Sequence, residues 1–285
     1  METTSESEYG PLRRSVAFLV HSNLFISIAA TGVALSTTLL ADLPPRPLPL
    51  FIVFAATLFV YSLNRLTDIE EDVRNVPRRA AFTHRYGKAF FVAGMLLYAA
   101  AIGGAFWLGI RGAPFLLLPV VAAALYSLFR VKQILLVKNL IVGASWGIIP
   151  LGVGVYYGAV RTPEILVSFG FFTVMLTVAA AVFDIKDIEG DRAEGIRTVP
   201  IVFGVRATRI AALAVTAVVG VAVVGVVAAG VVPRQFLVFL GFLAYVAAYV
   251  PFATEDRGAL FYGFVIDGEH VFLTLLVVAI ELLGV

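Results

Sequence analysis

Nine long apolar segments constrain this chain more than any other feature. They lie near residues 15–41, 48–64, 89–109, 113–129, 138–160, 163–183, 208–232, 235–253 and 260–284. A helix crosses the hydrocarbon of a bilayer with about 20 apolar residues, whereas a membrane strand needs only about 9–11. Inside lipid every backbone N–H and C=O must be satisfied within the chain, so segments of this length are helices. Composition agrees: 60% of residues are hydrophobic and 14% charged, against the roughly 45–50% apolar content of a soluble domain. The expected fold is all-α and integral to the lipid bilayer, a single transmembrane domain over 1–285 with about nine spanning helices.

Lysine and arginine set its orientation, because positively charged loops stay in the cytoplasm. With nine spans, all but four of the 21 lysines and arginines fall on one side, the exceptions being Arg46, Arg111, Arg161 and Arg234. That side also carries the amino terminus, so the expectation is a multi-pass protein of the cell membrane with a cytoplasmic amino terminus. The opening METTSESEYG is acidic and polar, and the first apolar stretch exceeds the core of a signal peptide; it reads as a retained helix. Cysteine is absent, which removes disulfides, thiolate nucleophiles and thiolate-bound metals. With loops this short, the basic balance restates topology and gives no reason to expect a nucleic-acid partner.

Against that apolar background the pattern D-I-E-x-D occurs twice, at 68–72 and 187–191, with a constant offset of 119 residues (68 to 187, 72 to 191). Asn64, Asp68 and Asp72 are spaced four apart, and Asp184, Asp187 and Asp191 stand at i, i+3 and i+7. On a helix each set forms one stripe leaving the end of a span. The equal offset implies two pseudo-repeated four-helix units plus a last helix, with the two acidic helix ends facing each other on the cytoplasmic side. Solvated loop charge explains any single aspartate. Two carboxylate stripes continuous with apolar helix need a cation, since like charges on one stripe repel.

Clustered Asp and Asn oxygens without His or Cys suit a hard cation, Mg²⁺ or Ca²⁺. Mg²⁺ is usually completed by water and substrate phosphate, so two stripes imply a phosphorylated ligand, such as a diphosphate bridged by metal. Asn64, Asp68, Asp72, Asp184, Asp187 and Asp191 are the candidate metal ligands. Candidate diphosphate cations are Arg79, Lys132 and Lys186, with Arg78, Arg130 and Arg197 nearby. Polar groups deep in spans (Asn23 and Tyr61 first, then His21, Ser22, Tyr126, Asn139 and Trp146) are candidates for a second substrate. Asp267, Glu269 and His270 read as a plain loop before the last span.

The stretch N64-RLT-D68-IEE-D72-VR-N75-V-P77-R-R79 resembles the first aspartate motif, residues 64–79, of the UbiA superfamily of intramembrane prenyltransferases, N-D-x-x-D-x-x-x-D followed by N-x-P-x-R-P. D184-IK-D187-IEG-D191-RAEGIRT, within residues 184–197 and just beyond, is similar to the second, D-x-x-D-x-E-G-D-x-x-x-G-x-x-[ST]. Tyr126-Ser127, Lys132 and K138-N139-LIVGASWG look like the middle segment. Arg65, Ala80 and Phe183 depart from the pattern, where the family commonly has Asp, Pro and Lys. The resemblance implies nine helices around a central cavity capped on the cytoplasmic side. It also implies an isoprenyl diphosphate donor held with Mg²⁺ on Asp68, Asp72, Asp187 and Asp191, and a lipophilic acceptor that captures the allylic cation. An aromatic quinone precursor is the expected acceptor; the alternatives are a glycerol-ether lipid, chlorophyll, haem or carotenoid.

Two rival classes are weaker. A cation transporter places its acids near the bilayer midplane on broken helices, whereas these sit at a boundary rich in arginine. A phosphatidyl-alcohol transferase carries D-G-x-x-A-R, which neither segment contains.

Overall fold

The computed structural model describes residues 10–110, 112–119, 135–193, 195–258 and 260–284. Among these residues every regular element is a helix. The long ones are α1 (Pro11–His21), α2 (Leu24–Leu40), α3 (Pro47–Thr67), α5 (Pro77–Trp107), α6 (Val137–Tyr157), α7 (Pro163–Phe183), α10 (Val205–Ala228), α11 (Phe239–Tyr249) and α12 (Gly268–Leu283). Three short helices, α4 (Ile69–Asn75), α8 (Ile188–Ala193) and α9 (Val199–Phe203), follow the two acidic motifs. Among the described residues seven spans are long and apolar enough to cross a bilayer, eight if the bent pair α1 and α2 counts as one span. The remaining expected span, 113–129, lies mostly outside the described residues.

Two boundaries differ from the hydropathy reading for physical reasons. The helix expected at 89–109 begins at Pro77 and is 31 residues long, about 46 Å at 1.5 Å per residue. Its first turns carry Arg78, Arg79, Arg85 and Lys88, which hide a helix from an apolar window while extending it beyond the hydrocarbon. The segment expected as one helix over 15–41 is instead broken, with α1 and α2 meeting at 69°. Asn23 sits at the break with φ of 62°, a left-handed conformation that Asn tolerates better than most residues. Its carbonyl accepts the Ser27 hydroxyl at 2.8 Å, which helps satisfy the backbone freed by the break.

The expected internal repeat is visible in element order. Each motif joins a spanning helix to a short helix and then to another spanning helix, α3–α4–α5 and α7–α8–α9–α10. α2 is the hub, packing against α3, α6, α7 and α12. α7, α10, α11 and α12 follow one another around one side, and α5 backs α3 on the other. Lipid gives helices no hydrophobic reason to associate, so close approach at small residues does that work. Gly143 and Gly147, one turn apart on α6, lie so close to Thr173 and Thr177 of α7 that a Cβ at either position would collide with them. The interior beside that seam is aromatic, with Phe171 and Phe239 stacked at 3.9 Å and Phe172 and Phe242 fully buried.

Candidate active site

The break at Asp68 continues the acidic stripe. The Asp68 amide donates to the Asn64 carbonyl at 2.9 Å, and the Asp72 amide to the Asp68 carbonyl at 3.0 Å, so the four-residue spacing survives the change from α3 to α4. In the second motif the Asp187 amide reaches the Asp184 carbonyl at 3.2 Å and the Asp191 amide the Asp187 carbonyl at 2.8 Å. α4 and α8 then pack against each other. The two stripes predicted from spacing therefore meet at one end of the bundle.

Asp72, Asp184, Asp187 and Asp191 each have a cationic neighbour. Asp72, buried, accepts from Arg79 Nε at 2.9 Å and from Arg65 Nη1 at 3.3 Å. Arg65 is thus not an idle departure from the family pattern: placed seven residues before Asp72, it doubles the positive charge around that carboxylate. Asp184 lies 2.9 Å from Lys138 Nζ and accepts from Asn139 Nδ2 at 2.8 Å. Lys138 also reaches buried Asp191 at 3.5 Å. Lys186 pairs with Asp187 at 2.5 Å and lies 5.9 Å from the Tyr262 ring.

These pairings set the charge of the site. Burial pushes the Asp72 carboxyl upward, but Arg65 and Arg79 outweigh it and hold it below the usual 3.8. A carboxylate whose pKa falls on folding adds stability above its unfolded pKa and loses it as pH drops through the lower folded value. Asp72→Asn should therefore lower the melting temperature in detergent near neutral pH, with the gap to the unsubstituted protein closing below about pH 4. A gap that persisted undiminished at pH 3 would contradict the pairing. Burial pulls the Lys186 ammonium below its usual value, against the pull of Asp187; such a cation gains from any further anion brought beside it.

The donor set fits Mg²⁺. Its candidate ligands are oxygens only, on two elements that touch, and no three acidic or histidine side chains among the described residues form a ready-made metal group. Oxygen ligands alone suit an ion that takes one or two carboxylates and completes its shell with water and phosphate.

Other candidates fall into three groups. Asn23 Nδ2 donates to the Ser62 hydroxyl at 3.5 Å; both line a small cavity with His21, Arg65, Thr83 and Phe90 between the broken first span, α3 and α5. Tyr61 accepts from Trp146 Nε1 at 3.2 Å, joining α3 to α6 beneath the acidic end. Arg197 is exposed before α9. Tyr126, Arg130 and Lys132 lie outside the described residues.

The sequence reading missed Lys138 as a site residue and misread Asp267, Glu269 and His270. Lys138 stood in the quoted middle segment, but its spacing gave no sign that it would bridge Asp184 and Asp191. The trio is not a plain loop. Asp267 immediately precedes α12, with no capping hydrogen bond from its side chain, while Glu269 and His270 are in the first turn of α12 and fully buried. Glu269 accepts from the Tyr249 hydroxyl at 2.7 Å, and the His270 ring packs 4.6 Å from Trp146.

The UbiA prenyltransferase family model matches residues 24–265, a range that runs through both motifs and seven of the long helices. The chain belongs to the UbiA prenyltransferase family. Relatives within it include digeranylgeranylglyceryl phosphate synthase of Methanothermobacter thermautotrophicus, 33% identical over 56% of this chain and 57% of that protein. The synthase of the same name from Thermococcus sibiricus is 30% identical over 62% of this chain and 64% of that protein. The alignments thus span less than two thirds of these curated relatives. A shorter match, 31% identical over 28% of this chain and 21% of the other, is to rice chloroplastic chlorophyll synthase. A solved UbiA homologue from Aeropyrum pernix shares the fold, with a TM-score of 0.63 at 17% identity, covering 90% of this chain and 97% of that one.

Proposed function

We propose that this UbiA-family protein transfers an isoprenyl group, of geranylgeranyl type, from its diphosphate to a hydroxyl of a glycerol-ether lipid phosphate. The observation that carries the chemistry is the contact of α4 with α8, which brings two carboxylate stripes and their cations to one end of a membrane-spanning bundle. The acceptor rests on the relatives: two matched over more than half of their own length are digeranylgeranylglyceryl phosphate synthases. They favour the glycerol-ether alternative over the quinone precursor expected from sequence. The basic excess around both motifs supports a cytoplasmic face for this end.

Asn64, Asp68, Asp72, Asp184, Asp187 and Asp191 would hold Mg²⁺. When bound, the ion supplies charge neutralisation to the leaving diphosphate, which favours rupture of the allylic C–O bond. Arg79 and Lys186, now paired with Asp72 and Asp187, bind the diphosphate oxygens. Tyr61 and Trp146, on the membrane side of the acids, wall the reacting end of the chain and keep out water that would quench a cation. A cation transporter gains no support, because Arg65, Arg79, Lys138 and Lys186 already occupy the electrostatic positions a transported cation would need.

The test is to supply purified protein with geranylgeranyl diphosphate, Mg²⁺ and, separately, geranylgeranylglyceryl phosphate or 4-hydroxybenzoate. A doubly prenylated glyceryl phosphate by mass spectrometry is the expected product. Prenylated hydroxybenzoate alone would overturn the acceptor, and no prenylated product from either would count against the reaction.

A further inference from the structure

Prenyl transfer to an alcohol releases a proton, and the paired acids of the two motifs are committed to cations. A third element reaches the same space. The π-helical segment Phe261–Ile266 precedes α12; such segments insert an extra residue per turn and recur at functional sites. Tyr262 within it lies 5.9 Å from Lys186 Nζ and 5.6 Å from Phe183, which fixes the segment against the second motif. One turn past Asp267, His270 packs on Trp146, whose indole bonds Tyr61 on α3, one turn from Asn64. Asp267 therefore stands between a contact to the second motif and a contact to the wall beneath the first. Its carboxylate is within the field of Arg65, Lys186 and Arg79, and Tyr61 in turn feels Asp267. From its own side of the bundle Glu269 and Tyr249 face it. It is partly accessible, whereas Glu269 and His270 beneath it are sealed.

An ionisable group within a spanning segment, in neither aspartate motif and without an ion pair among the described residues, is a candidate for function. Resting on the prenyl-transfer reading above, we infer that Asp267 is the general base of the reaction, a carboxylate contributed by the last helix. As the acceptor hydroxyl oxygen bonds to C1 of the isoprenyl group, the C1–O bond to diphosphate breaks with its electron pair leaving on diphosphate. The hydroxyl proton passes to an Asp267 carboxylate oxygen and then to solvent.

The experiment uses the full chain in detergent with tritiated geranylgeranyl diphosphate, Mg²⁺ and geranylgeranylglyceryl phosphate. It follows ether product, prenyl alcohol from capture by water, donor affinity and the pH dependence of kcat, for the unsubstituted protein, Asp267→Asn and Asp267→Glu. General-base catalysis contributes about 10²–10⁴-fold, so Asp267→Asn should lose at least about 100-fold in ether formation. Donor affinity should be kept, which also certifies the fold, the alcohol-to-ether ratio should rise, and the acidic limb of the pH profile should vanish. Asp267→Glu should recover part of the rate. Ether formation by Asp267→Asn at the unsubstituted rate would overturn the assignment, as would a loss confined to donor affinity with the pH profile unchanged. An unsubstituted protein that released neither ether nor alcohol would instead refute the prenyl-transfer reading itself.

Discussion

Asp68→Ala and Asp187→Ala are each expected to reduce prenyl transfer by at least about 1000-fold, since metal stabilisation of a leaving group is worth several kcal/mol and 1.4 kcal/mol is tenfold. Both residues stand at helix breaks rather than in the packed interior: Asp68 ends α3, and Asp187 keeps 17% of its side chain exposed. Removal of Asp68 should therefore leave the melting temperature in detergent nearly unchanged, whereas Asp187→Ala also strands the buried Lys186 ammonium and should lower it. Arg46→Ala and Arg234→Ala, exposed at the opposite end of the bundle, serve as controls and should keep full activity. Steady-state rates with saturating donor decide the matter, and full activity in either aspartate variant would refute joint action of the two motifs.

Lys138→Met should produce the largest loss of stability. Lys138 is the cation shared by Asp184 and Asp191, which are 2% and 1% exposed. Removing one partner of a buried pair leaves an uncompensated charge and costs about 3–5 kcal/mol. The second acid makes the upper part of that range the expectation, read as a fall in melting temperature. In the double variant Lys138→Met with Asp184→Asn the losses should be far from additive, because the second change removes a charge the first left stranded. Strict additivity, or an unchanged melting temperature in Lys138→Met, would contradict the bridge. Added Mg²⁺ should return part of the lost stability, since a ligand that binds only the folded state stabilises it by mass action.

The membrane class and the meeting of the two motifs were legible because they depend on local spacing and on long apolar runs, both written directly in the chain. Eight of the nine expected spans coincide with helices, and the Asn64–Asp68–Asp72 stripe persists because i to i−4 hydrogen bonds carry it across the helix break. The pairing of Arg65 with Asp72 was hidden because a family pattern treats Arg65 as a departure, whereas its meaning lies in the turn that brings position 72 back to it. Lys138 was hidden for a related reason: the residues it bridges are 46 and 53 positions away (138 to 184, 138 to 191). The break at Asn23 escaped hydropathy, which averages over a kink and registers only that the segment is apolar. Asp267, Glu269 and His270 were read as loop because three different spacings show no helical stripe. Tertiary packing of α12 against Trp146 and Tyr249 gives them a common environment that no periodicity encodes.

The central claim is that both aspartate motifs act together on one metal-bound diphosphate. Its most direct test is equilibrium binding of geranylgeranyl diphosphate to purified protein with Mg²⁺ and then with EDTA, repeated for Asp68→Ala and Asp187→Ala. Binding that requires Mg²⁺ and is lost in both variants is the predicted result. Binding that survives EDTA, or that depends on one motif and ignores the other, would contradict it.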